Sequence, residues 1–336
     1  MTEQTRRALI LIFNPDTDYA LAAFDDNYTS PKAVALFTRA NAGLLLPFAG
    51  PDDIIAPYDD PRAAAKAVAS LRAEGITPII RPWGWNPTIC RRLIAAGVDS
   101  SLLPSRYSLL ALRNLAHRRT TIAANHLLNQ LLAEAGANSR HISPLPKEFT
   151  DADAALGWLD TVGDAFFKMP WSSSGRGVIR VADFTDSRRE ELRKWLSGAI
   201  RRQGSVMGET AADKCLDFAT EWWIGATDRR EVKFLGLSVF AAGDNGRYLA
   251  NSDADDTELL NKIRSVAPDF GDIWIEAQRA MLSRIVAPGY QGPVGIDMLA
   301  STDGAIRGCI ELNLRLTMGL IRTPGWRAAA LENIGG

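Results

Sequence analysis

Residues 8–13 read Ala-Leu-Ile-Leu-Ile-Phe, an unbroken apolar run closed by Asn14-Pro15. A strand with no polar residue on either face has to be covered on both. The run therefore predicts a buried strand of a parallel or mixed sheet. The following segments agree. Residues 42–48 carry a second apolar run, ended by Gly50-Pro51, and are predicted as the second strand. Residues 61–74 are rich in Ala, Leu and Arg at helical spacing, with Gly75 placed to cap the C-terminus. Residues 76–81 form a third short strand closed by Pro82, and residues 87–97 another helix. This alternation predicts a small α/β unit.

The character changes after residue 105. Residues 105–136 show long helical periodicity, with a break only near Thr120-Thr121. The division expected is an N-terminal α/β domain over residues 1–115, then a larger α+β domain over 116–336. That domain splits into a small lobe of roughly 116–205 and a large lobe of roughly 206–336. A helix is expected over 150–159, with Thr150 as its N-cap. Helices are also expected over 188–203, 256–266 and 273–286. Strands are expected at 205–207, 218–224, 231–240, 248–250, 292–299 and 308–314.

Composition removes several functions. The formal net charge is −1, so no polyanion-binding surface is implied and nucleic acid is a poor partner. Cys90, Cys215 and Cys309 are too scattered for a disulfide framework, and no CxxC pair exists to hold zinc. His117, His126 and His141 lack any paired-ligand spacing and read as surface or structural residues. The first apolar run is too short for a signal segment or a membrane span. A cytoplasmic protein with no membrane partner fits these features.

Residues 166–178 read Phe-Phe-Lys-Met-Pro-Trp-Ser-Ser-Ser-Gly-Arg-Gly-Val, with Ser172, Ser173, Ser174, Gly175, Arg176 and Gly177 between two strand-like runs. Small residues let successive backbone N–H groups converge on phosphate oxygens, and the hydroxyls add donors. No Lys-Ser/Thr follows the second glycine and no helix opens there, so this is not a Walker loop. A flap joining two strands is expected instead, with the Lys168 ammonium reaching phosphate from the strand end. The same composition also suits a mobile surface hairpin.

Two late segments carry acids. Asp297 sits inside the apolar stretch Gly295-Ile296-Asp297-Met298-Leu299. In Cys309-Ile310-Glu311-Leu312-Asn313-Leu314-Arg315, the period of two puts Glu311, Asn313 and Arg315 on one face. The turn Thr302-Asp303-Gly304 allows antiparallel pairing, which brings Asp297 towards Glu311. Asp297, Glu311 and Asn313 supply the hard oxygens that Mg²⁺ prefers. Arg315 would face a transferred phosphoryl group. The alternative is an exposed sheet face carrying a Glu–Arg pair.

In order and spacing, these elements resemble the ATP-grasp superfamily over residues 105–320. The resemblance implies a two-lobed nucleotide-binding fold, preceded by a small α/β domain, with ATP and Mg²⁺ between the lobes. It implies phosphate contacts from Lys168 and from the flexible loop Ser172–Gly177. It implies an adenine edge at Val206-Met207-Gly208-Glu209, with Met207 and Glu209 in contact and Glu221 as a second candidate. Asp297, Glu311 and Asn313 resemble the metal ligands, and Arg315 the arginine that steadies the phosphoryl and acyl-phosphate groups. One departure stands out. The family's upstream lysine is missing from His117-Arg118-Arg119-Thr120-Thr121, where Arg119 or Arg118 would substitute.

The activity implied is an ADP-forming carboxylate–amine ligase acting on small-molecule or peptide carboxylates and amines, with a homodimer allowed. Lys168, Arg176 and Arg315 would neutralise charge during transfer. An ATP-dependent phosphotransferase would use the same residues, and a non-catalytic nucleotide-binding module is the third alternative. The substrate is not readable. Asp16 and Asp18, after the first strand, could hold an amine or simply form a turn and helix cap. Trp83 and Trp85 could line a pocket or pack as core.

Overall fold

The computed structural model describes residues 6–172, 177–182, 186–225, 231–242, 248–252 and 254–332. Twelve strands in this description form three sheets. The first sheet contains β1 (Arg7–Ile12), β2 (Ile54–Ile55) and β3 (Thr77–Pro82), in the order β2-β1-β3 and wholly parallel. The second contains β4 (Lys147–Phe149), β5 (Ala165–Lys168), β6 (Val178–Val181) and β7 (Val206–Thr210), in the order β4-β7-β5-β6. The third contains β8 (Lys214–Ile224), β9 (Val232–Ala242), β10 (Tyr248–Asn251), β11 (Gly292–Ser301) and β12 (Ile306–Asn313), in the order β10-β9-β8-β11-β12. Both larger sheets are antiparallel throughout.

Alternation along β1 explains how the first sheet is covered. Ala8, Ile10 and Ile12 face one cluster. Between β1 and β3 the chain forms α1 (Thr17–Ala23), α2 (Lys32–Ala40) and α3 (Pro61–Ala73), and α4 (Pro87–Ala95) follows β3. Val68 and Leu71 of α3, with Ile89 and Leu93 of α4, complete that cluster. Leu9, Leu11 and Phe13 face the other way. They meet Trp223, Leu235, Leu320 and Trp326 from the far end of the chain. The first sheet therefore shares a core with the five-stranded sheet.

Two helices, α5 (Arg106–Leu115) and α6 (Thr120–Glu134), lead out of this unit. The four-stranded sheet packs on α7 (Ala152–Val162) and α8 (Asp186–Gln203), with Phe167, Leu156, Leu192 and Leu196 among its buried contacts. The five-stranded sheet buries its apolar face against α6, α9 (Asp256–Val266) and α10 (Asp272–Ile285), through Leu128, Ile263, Trp274 and Met281. The last helix, α11 (Trp326–Glu332), closes on β1.

Three expectations are corrected. Residues 42–48 form a 3₁₀ helix rather than a strand, burying Leu45 while Leu46 is exposed. Pro47 has no N–H to give a ladder, and the sheet partner is the shorter β2. The helix α7 is capped by Asp151 and not Thr150: the Asp151 carboxylate accepts from Ala154 N at 2.8 Å. The helical stretch after residue 105 does break into two helices, but at residues 116–119, just before the Thr120-Thr121 step rather than at it.

Candidate active site

A cleft of about 330 Å³ opens between the four-stranded and five-stranded sheets. Lys168 ends β5 on its wall. Phe167 points into the core under α7 and α8, so alternation turns Phe166 and Lys168 to the cleft. The Lys168 ammonium donates to Glu209 Oε2 at 2.6 Å, and both side chains are largely buried. The chain reverses between β5 and β6, pairing Lys168 with Val178. Gly177, at φ 73°, accepts from Met169 N in that reversal.

Arg118 lies on the cleft's inner edge, just before α6. One terminal nitrogen donates at 2.7 Å to both the Met169 carbonyl and Ser172 Oγ. The other lies 2.7 Å from Glu311 Oε1. Its Nε is buried without a partner among the described residues. A buried guanidinium N–H with nothing to donate to is costly. An anion entering the cleft would satisfy it.

The acids come from β11 and the edge strand β12 of the third sheet. The register of β11 and β12 sets Asp297 opposite Glu311, as their spacing around the Thr302–Gly304 turn predicts. Burial, then repulsion from Glu311, pushes the Asp297 carboxyl up to about 7, although Asn313 donates to it. Burial also pushes Glu311 up, but Arg118, Arg315 and Lys168 outweigh that and hold it below the usual carboxylate range. Arg315 follows β12, and its Nε lies 2.9 Å from Asp18 Oδ2 at the start of α1. Burial raises the Asp18 carboxyl, an effect only partly offset by Arg315.

Asp18 reaches this position because the first unit's loops are stapled together. Asn14 exchanges hydrogen bonds with Gly84 at 2.8 and 3.3 Å. Asn86 caps α4 and also donates to Thr17 Oγ1 at 3.2 Å. A Cβ at Gly84 would lie 2.5 Å from the Thr17 side chain, so this crossing requires glycine. Of the two nearby tryptophans, Trp83 is core and Trp85 lies beside Asp18 and Arg315.

The other expected site residues are placed differently from one another. Ser172 is buried against Arg118. Ser173, Ser174, Gly175 and Arg176 lie outside the described residues. Met207 is fully buried beneath the cleft wall, whereas Glu209 is on it. Arg119 does not reach the cleft. Its side chain is half exposed and lies 4.0 Å from Glu148; of the two arginines, Arg118 is the one on the cleft wall. Glu221 is also away from the cleft. It is 1% exposed and accepts from Ser238 Oγ at 2.9 Å and Thr317 Oγ1 at 3.1 Å. Burial pushes its carboxyl up to about 8, with Asp297 adding to the rise.

Sequence reasoning missed Thr210, Lys214, Asp217 and Arg307 on the cleft wall. Lys214 and Asp217, three residues apart at the start of β8, pair at 2.6 Å. Nothing in their sequence spacing marks them.

A bound Mg²⁺ fits these residues. Two carboxylates in register repel each other, a carboxamide adds a third hard oxygen, and a divalent cation would relieve the repulsion. Among the described residues no cluster of three or more His, Cys, Asp and Glu exists. Asp297, Glu311 and Asn313 would hold the ion.

No protein-family model matches the chain, and neither does any curated protein. Solved structures do. A biotin carboxylase from Campylobacter jejuni, solved as its beta-gamma-ATP complex, superposes with a TM-score of 0.52 at 16% identity, covering 98% of this chain and 71% of its own. The N5-carboxyaminoimidazole synthetase of Staphylococcus aureus gives 0.49 at 10% identity, over 100% and 81%. An L-amino acid ligase from Bacillus licheniformis gives 0.41 at 15%, over 94% and 69%. The chain has the ATP-grasp fold, an α+β architecture with the four-stranded and five-stranded sheets on either side of the cleft. Among the described residues no helix is long and apolar enough to cross a membrane.

Proposed function

We propose that the chain is an ADP-forming carboxylate–amine ligase, with Mg·ATP in the cleft between the two larger sheets. The observation that carries this reading is the convergence of Lys168, Arg118 and the Asp297–Glu311 pair on one cleft, although they come from three separate parts of the chain. Lys168 and Arg118 bring positive charge to the phosphates. Arg315, held by Asp18 in a small pocket that shares Arg118 and Glu311 with the cleft, is proposed to steady the group that receives the γ-phosphoryl. Mg²⁺ held by Asp297, Glu311 and Asn313 neutralises phosphate oxygens when bound.

The chemistry asked of the protein is positioning and charge neutralisation. A substrate carboxylate takes the γ-phosphoryl, releasing ADP. The amine then attacks the acyl carbon and phosphate leaves. Ser172–Gly177 is proposed to exclude water at that stage. In this reading residues 1–115 form a unit that contributes Asp18, and the lobes 116–205 and 206–336 hold the nucleotide.

The test is a screen of amino acids and small peptides for ATP-dependent release of ADP and phosphate, with mass spectrometry of the products. Release of AMP and pyrophosphate would refute the acyl-phosphate route. ADP release that needs no amine would convert the reading to a phosphotransferase.

A further inference from the structure

A second cavity, of about 500 Å³, lies in the N-terminal unit, and the proposed reaction leaves it unused. It opens beside the carboxyl end of the parallel sheet, where Phe13 leaves β1 and Ala56 leaves β2. Ligands of open parallel sheets collect at that edge. Its walls are aromatic, from Phe13, Tyr28 and Tyr58.

The cavity lining is charged and polar. Arg39, Arg91 and Arg92 stand on one part of its lining. The Arg92 guanidinium stacks 4.6 Å from the Tyr58 ring centre, Arg91 Nε donates to the Asp26 carbonyl at 2.9 Å, and Arg39 pairs with Asp59. Ser30, also on the lining, donates to the Asp16 carboxylate, and Ser30 and Arg92 both reach the Tyr58 hydroxyl. Asp16 is 2% exposed, and its Oδ1 is buried with no partner among the described residues. The Tyr28 hydroxyl, also on the lining, is likewise buried and unpartnered. Burial, then the charge of Asp16, raises the Tyr28 phenol. A lining hydroxyl left without a partner, with a buried carboxylate behind Ser30, marks a place for a polar ligand group.

We infer that this cavity binds a free amino acid, its ammonium against Tyr28 and Ser30 with the Asp16 carboxylate behind Ser30, its carboxylate among the three arginines, and its side chain on the aromatic wall. Guanidinium groups match a carboxylate in charge and geometry. The buried acid favours a cation, and the rings bury an apolar side chain. The proposal rests on this cavity alone and does not need the ligase reading. Such a ligand is either the amine substrate or an effector.

The experiment is calorimetric titration of the full chain, without ATP, with each of the twenty common amino acids. At least one is expected to bind in the micromolar to low-millimolar range. Its methyl ester, its N-acetyl derivative, and the variants Tyr28→Phe and Arg92→Gln should each weaken binding by about tenfold or more. Glu311→Gln should leave this binding unchanged, which separates the result from failure of the nucleotide site. Mass spectrometry after adding ATP then distinguishes a substrate, which is consumed, from an effector, which is not. No binding by any amino acid overturns the inference. So does undiminished binding of both blocked derivatives, or full affinity in folded Tyr28→Phe and Arg92→Gln proteins.

Discussion

Arg118 and Glu311 meet at 2.7 Å across the cleft, and the same guanidinium also holds the Met169 carbonyl and Ser172. One side chain thus ties the start of the Ser/Gly loop to the acids of the five-stranded sheet. Truncating it would leave Glu311 without its cation and Ser172 without its donor. Arg118→Ala is expected to lower kcat/KM for ADP release by at least about 100-fold, roughly 3 kcal/mol of transition-state stabilisation. Arg118→Lys should recover little, because a lysine cannot span three partners. Arg119→Ala should stay within about threefold of wild type, since that side chain faces Glu148 and solvent. Equal losses in the Arg118 and Arg119 variants would disprove the placement.

Glu311→Gln keeps the shape of the strand but removes half of the facing acid pair. Turnover should fall near background while the circular dichroism spectrum and Tm are retained. Chelation of Mg²⁺ by EDTA should abolish ADP release in the wild type, and adding Mg²⁺ back should restore it. An active Glu311→Gln protein would exclude Glu311 from the metal site.

Glu221 makes stability depend on pH. Its folded value is about 8 because of burial, with Asp297 adding to the rise, against about 4.3 for an exposed glutamate. Between those values the folded chain keeps a proton that the unfolded chain has released. Stability therefore falls as pH rises through that window. Glu221→Gln removes this contribution, so its Tm should decline less than that of wild type between about pH 5 and 8. Identical slopes would show that Glu221 does not titrate there.

Asp53 behaves in the opposite sense. It accepts from Leu9 N at 2.9 Å, from Gly50 N at 2.7 Å and from both donors of Arg327 at 2.6 and 2.9 Å. Burial alone would raise its carboxyl, but these hydrogen bonds outweigh it and hold it below the ordinary value. The stabilisation is complete above the unfolded value of about 3.9 and is lost as pH falls through the lower folded value. Asp53→Asn should cost about 2–4 kcal/mol at neutral pH, read from urea denaturation. The gap to wild type should narrow below about pH 4.

Segments with a strong local signal were legible in the sequence. Asp255 caps α9, and the apolar spacing after it gives Asp256–Val266 as expected. The alternation in β11 and β12, with the turn between them, gave the pairing of Asp297 with Glu311. Residues 42–48 misled because an apolar run around Pro47 has the same composition in a 3₁₀ turn as in a strand. The choice between Arg118 and Arg119 turns on the phase of an irregular stretch before α6, which no periodicity fixes. Asp18 and Arg315 are 297 positions apart, and only the stapled loops of the first unit bring them together.

The shared core beneath β1 has a consequence for how the molecule is made. Arg7 donates to the Leu331 carbonyl, 324 positions away, and Leu9 and Leu11 lie against Trp326 and Ala329. In the chain's order β1 precedes α11 by more than 300 positions, so during synthesis the face of β1 carrying Leu9 and Leu11 lacks the cover of Trp326 and Ala329 until α11 is made. Contacts of such separation slow folding and leave that face open to wrong partners in the meantime. Removing α11 should therefore do more than delete one helix: it should uncover the face of β1 that carries Leu9 and Leu11.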